Sequence, residues 1–167
     1  MREKLFFSRS HVLFFILSLI LYSMETFGTV SELRCPRSDQ ALMTLAARIQ
    51  KRFPVLYVDC ANTFDPYLLY RVCRDESVLD RVYVSRPFTV YQLRELVFGK
   101  LERAIQRLSA KVLLVSRPDS YELDSPLDEK EYDLISERVA GRIKTLTMDY
   151  GLLTTVSYGG GAHGPDG

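Results

Sequence analysis

The chain has 167 residues, enough for one domain with a proper core, and its 47% apolar and 26% charged content describes a globular body rather than a disordered one. A formal net charge of +1 removes any global pull toward nucleic acid or acidic membrane and leaves only local patches for such partners. Three cysteines, Cys35, Cys60 and Cys73, show no Cys-x-x-Cys spacing and no pairing with the two histidines, which argues against a zinc site or disulfide framework and for buried free thiols.

In chain order, Arg2, Lys4 and Arg9 precede an uncharged run over residues 10–24 whose centre, 12–22, is strongly apolar. A basic start before such a stretch is the layout of a signal peptide or anchor. The run is short against the roughly 20 apolar residues of a spanning helix, and Glu25 intrudes where a small-residue cleavage site is expected. The other reading packs this segment on the domain. The division expected is an apolar N-terminal segment at 1–24, an α/β domain at 25–158 and a Gly-rich flexible tail at 159–167, with His163 in that tail. A cytoplasmic protein is expected, with export or membrane anchoring through residues 12–22 as the alternative.

The body alternates strands and helices. Residues 29–33 form a short strand, and Asp39 is expected to cap a helix over 40–51 with Leu42, Leu45, Ala46 and Ile49 on one face. The run Val55-Leu56-Tyr57-Val58-Asp59 is a buried strand ending on an acid, where open α/β sheets place ligand-facing groups. Asp65-Pro66 then opens a helix to about Cys73. A strand follows over 82–85, and Thr89 caps a long helix to about Leu108 with Val90, Leu93, Leu96, Val97, Leu101, Ile105 and Leu108 at helical spacing. A strand over 111–116, a helix over 129–150 and a strand over 152–157 complete the pattern. Strands separated by helices pair in parallel, and the expected architecture is a three-layer α/β sandwich with a mainly parallel sheet.

Val55 to Phe64 followed by Pro66, with Leu79-Asp80-Arg81-Val82-Tyr83-Val84-Ser85-Arg86-Pro87-Phe88-Thr89 downstream, resembles the ATPase core of RecA/RadA-type recombinases. In that family a strand ending Tyr-Ile-Asp leads to a Thr-Phe-x-Pro-like turn, and a Leu-Asp-Asn-(Ile/Val)-x-x-Ala-Arg-Ala-(Tyr/Phe) segment follows. Glu25 to Leu33 is similar to the run that precedes the family's phosphate loop, and the resemblance extends over residues 25–158. It implies a RecA-like P-loop NTPase core. Nucleotide chemistry on such a core needs a Gly-rich cradle with a Lys, a Ser/Thr and an acid on magnesium, and a carboxylate that orients water.

These groups are missing where the resemblance puts them. The phosphate-loop position reads Arg34-Cys35-Pro36-Arg37-Ser38-Asp39-Gln40-Ala41, with no Gly and no Gly-Lys-Ser/Thr, Ala61 stands at the catalytic Glu, and Ser116 stands at the magnesium-holding Asp. The expectation is an ATPase fold without ATPase chemistry, with no catalytic residue, no cofactor and no metal. Vestigial nucleotide-site positions are Arg34, Arg37, Ser38, Asp59 and Ser116. The implied role is contact with another protein, a recombinase-like one among the candidates, in DNA recombination or repair. DNA itself is a candidate partner through a basic stripe of Arg71, Arg74, Arg81, Arg86, Arg94 and Arg103, weighed against scattered surface charges. Two other readings stand beside it: a residual ATPase in which Asp59 holds magnesium and Arg37 contacts the phosphates of ATP, and an exported or membrane-anchored α/β binding protein.

Overall fold

A computed structural model describes residues 27–35, 37–121 and 128–159. The apolar N-terminal run and the glycines beyond Gly159 therefore lie outside the described residues. Five strands form one sheet, β1 (Val30–Arg34), β2 (Val55–Asp59), β3 (Val82–Ser85), β4 (Val112–Ser116) and β5 (Leu153–Tyr158). Their order is β1-β5-β4-β2-β3, and every neighbouring pair is parallel.

Period-two alternation divides the core. On one face Val55, Tyr57, Val112, Leu114 and Leu153 pack under α1 (Ser38–Ile49) and α2 (Pro66–Cys73). On the other, Leu56, Val58, Leu113, Val115 and Val156 pack under the long helical segment and α5 (Glu129–Tyr150). β2 and β4 are buried at all five of their positions, the pattern of strands covered on both sides. The three-layer α/β arrangement is thus present.

Local chemistry sets the helix ends. Asp65 accepts from the Tyr67 amide at 2.9 Å ahead of Pro66. Thr89 accepts from the Gln92 amide at 3.2 Å while Gln92 reaches back to the Phe88 amide at 2.8 Å. Gly151, at φ 55°, ends α5 in the left-handed conformation, and the Leu152 amide closes on the Thr147 carbonyl at 2.9 Å.

Three expectations shift. The first helix begins at Ser38 rather than Gln40, with Arg37 as its left-handed N-cap residue and Asp39 inside the first turn without capping it. The long helix is not uniform: α3 (Val90–Glu95) passes through one π turn, Leu96–Lys100, before α4 (Leu101–Leu108). Gly159, expected in the flexible tail, donates its amide to Asp119 at 3.1 Å. Among the described residues no helix is long and apolar enough to cross a membrane.

Two core substitutions separate packing from polarity. Leu113→Ala, at a fully buried position between β4 and the α5 layer, should cost about 2–5 kcal/mol in urea unfolding. Tyr57→Phe removes a buried hydroxyl that finds no hydrogen bond among the described residues, so it should change stability by less than about 1 kcal/mol or raise it.

Candidate functional site

In a parallel sheet every strand ends on the same edge, and register decides which side chains meet there. Asp59 pairs with Ser116, Ser116 with Ser157, and Ser157 with Leu33. Asp59, Ser116 and Ser157 thus form one polar row on the α1 side of the sheet, each with no exposed surface.

α1 drops its first turn onto this row. The Asp39 carboxylate accepts from the Ser116 hydroxyl at 3.0 Å and from the Ser157 hydroxyl at 3.3 Å. This explains why Asp39 does not cap its own helix, since its oxygen Oδ1 is taken by the strand ends. Ser38 is turned the same way and donates to the Tyr158 carbonyl at 2.8 Å. The negative charge also lies in the turn where the helix dipole favours an anion.

Asp59 is held differently. Its two oxygens accept the amides of Thr63 at 2.9 Å and Phe64 at 3.0 Å, and Arg86 Nε donates to Oδ2 at 3.1 Å. The same guanidinium donates to the Phe64 carbonyl at 3.0 Å, so one Arg from the end of β3 braces both the acid and its loop. A buried carboxylate with two amides and a cation is fully compensated, and here it shapes the loop that carries Ala61 and the left-handed Asn62.

The loop after β4 covers the neighbouring edge. Arg117, at φ 50°, pairs with Asp119 at 3.2 Å, and Ser120 donates to the Cys60 carbonyl at 3.1 Å. Tyr121 donates to the Pro87 carbonyl. Burial pushes the Cys60 thiol up to about 12 and raises Tyr121 as well. Burial also raises Tyr57, with Asp59 and Asp39 adding to the rise and the nearby Ser116 hydroxyl opposing it.

Of the five positions singled out from the sequence, four have protein partners. Ser38, Asp59 and Ser116 are bonded as described, and Arg34 pairs with Glu32 at 3.0 Å and lies 4.1 Å over the Tyr158 ring. Arg37 is exposed and makes no ion pair among the described residues. Asp39 and Arg86 are the residues whose roles the sequence did not announce. Only register and the descent of α1 bring Asp39 to Ser116 and Ser157, and Arg86 reaches Asp59 across 27 residues. The six arginines are spread out: Arg71 and Arg74 belong to the helical layer on one face, Arg94 and Arg103 to that on the other, and Arg81 and Arg86 flank edge strand β3. No group of three or more metal-ligating side chains occurs among the described residues.

Compared with models of known protein families the chain matches none, and comparison with curated proteins finds no match either.

Asp59→Ala leaves the half-exposed Arg86 and the amides of Thr63 and Phe64 without their shared acceptor, and should cost about 1–3 kcal/mol by urea unfolding. The buried, weakly acidic Cys60 thiol should resist a thiol reagent at pH 8 in the native protein, with the partly exposed Cys35 and Cys73 reacting before it and all three cysteines reacting after unfolding.

Proposed function

We propose that this chain is a non-catalytic RecA/RadA-like module that acts through protein contacts in DNA recombination or repair. The observation that carries this reading is the pair formed by Asp39 and Ser116. Magnesium-nucleotide chemistry on a P-loop core takes a hydroxyl from the helix after the phosphate loop and a carboxylate from a strand end. Here the carboxylate is on the helix and the hydroxyl is on the strand, and they bond directly to each other at 3.0 Å. An acid in the first turn of α1 satisfies the helix dipole from within and repels a phosphate brought to the same place. The three residues joining β1 to α1 include no glycine and no lysine, so the sequence supplies neither an open amide cradle nor the usual cation.

Contact with a protein is favoured by the lateral edge of the sheet, at β3. β3 is an edge strand with Tyr83 41% and Val84 38% exposed. Phe88 at 66% and Tyr67 at 76% expose still more of their surface. An open pocket of about 410 Å³ lies against the strand, lined by Phe64, Pro66, Val84 and Arg86. Apolar side chains concentrated on an unpaired edge are a liability in a monomer and an asset in a complex. The resemblance makes a recombinase-like protein the first partner to test.

Titration calorimetry with magnesium-ATP should give no heat at nucleotide concentrations near a millimolar, and sub-millimolar binding would overturn the loss of the nucleotide site. Tyr83→Lys combined with Val84→Asp should weaken association with a recombinase core from the same host by about tenfold or more, with an unchanged melting temperature. Absence of that association in the unaltered chain would defeat the partner assignment.

A further inference from the structure

The π turn and α5 border an open groove of about 780 Å³, lined by Arg94, Glu95, Phe98, Arg138, Arg142 and Thr145. It lies on the helical layer opposite α1, away from the polar row and from Asp39. Three observations converge on it.

The first is the π turn, in which the Leu101 amide bonds to the Leu96 carbonyl. Such single turns are rare within α-helices and cluster at functional sites. This one occupies Leu96–Lys100, with Phe98 50% exposed beside the groove.

The second is a pair of glycines in the bordering helical segments. A Cβ at Gly99 or at Gly141 would meet nothing within 4 Å, and neither residue has positive φ. Neither packing nor backbone conformation therefore requires glycine, although each weakens its helix relative to alanine. Gly141, Arg142 and Thr145 follow Arg138 at three, four and seven residues, which puts all four on one face of α5. A missing side chain there is of use to something that approaches the backbone closely from outside.

The third is the charge. Arg142 is matched internally by Glu102 at 2.6 Å, and Glu95 by Lys100 at 3.3 Å. Arg94, over the Tyr91 ring at 5.5 Å, and Arg138 make no ion pair among the described residues. The groove thus has one exposed aromatic ring and two cations without carboxylate partners, and Gly141 lies next to the α5 residues that line it.

We infer that this groove docks an acidic amphipathic helix of a partner protein. A helix laid against Gly141 brings its backbone close to α5, its apolar stripe meets Phe98, and its carboxylates reach Arg94 and Arg138. This inference rests on the proposed role in protein contacts and gives it a second surface, with the chemistry of the partner specified.

The test is an NMR titration of the full chain with a designed helical peptide of about four turns, leucines on one stripe and glutamates beside it. No recombinase and no nucleotide are present, so the result is independent of the experiments on β3 and on magnesium-ATP. Amide shifts are expected around Phe98 and along Arg138 to Thr145, with no such shifts from the same peptide carrying lysines for glutamates. Arg94→Glu combined with Arg138→Glu should weaken binding by about tenfold or more. Gly141→Leu should abolish it while leaving the melting temperature unchanged or higher, because the open space admits the side chain. Arg138→Ala, which loses charge without adding bulk, should weaken binding less than the double reversal. Absence of groove shifts at millimolar peptide, equal binding of the lysine peptide, undiminished binding to folded Gly141→Leu, or shifts produced by a single-stranded oligonucleotide in place of the peptide would each overturn the inference.

Discussion

A sheet whose central strands are apolar on both faces has to be covered on both faces, and the remaining architecture follows from that constraint. β2 and β4 expose none of their ten residues, so helices from each crossover are drawn to opposite sides. Parallel pairing then brings all five carboxyl ends to one edge. Register finishes the work by aligning Asp59, Ser116 and Ser157 in a single row, although they come from distant parts of the sequence. The candidate site is thus a by-product of burying valines and leucines, and its polar groups come together because their strands had to.

What that edge does with its polar groups is turn them inward. Asp59 collects two amides and Arg86, and Asp39 collects two hydroxyls. Both arrangements satisfy carboxylates that burial would otherwise penalise, and both leave little capacity for a ligand. A nucleotide at this edge would have to displace Asp39 from Ser116 and Ser157 while overcoming its charge. The same interactions that stabilise the loop after β2 and anchor α1 therefore oppose phosphate binding. The bonds that stabilise this edge are thus the ones that occupy its polar groups.

The surfaces with unspent interaction capacity lie elsewhere. Edge strand β3 keeps apolar and backbone groups in solvent, and the groove beside the π turn keeps two arginines and an exposed ring. The polar row is rigidly paired, whereas these places combine exposure with local features that cost stability, such as glycines in helices. That contrast is what the proposed role in protein contacts draws on.

The sequence by itself determined the elements and their order. Period-two and helical spacing placed β2, β3, α2 and α5 within a residue or so of where they stand, because burial of one face leaves its mark on each segment alone. The same reading noticed Asp59 at a strand end and Ser116 at another, since position along a strand is local information. Only the tertiary structure decided what these residues touch. Asp39 read as a helix cap because a local partner, its own helix amides, was the one the sequence could offer; the competing hydroxyls arrive from 77 and 118 residues away. Arg86 read as one cation in a series for the same reason. The π turn left little trace, since Val90, Leu93, Val97, Leu101 and Ile105 recur at spacings that an unbroken α-helix would also satisfy. Pairings across a sheet are set by register and layer packing, which no single stretch of sequence contains.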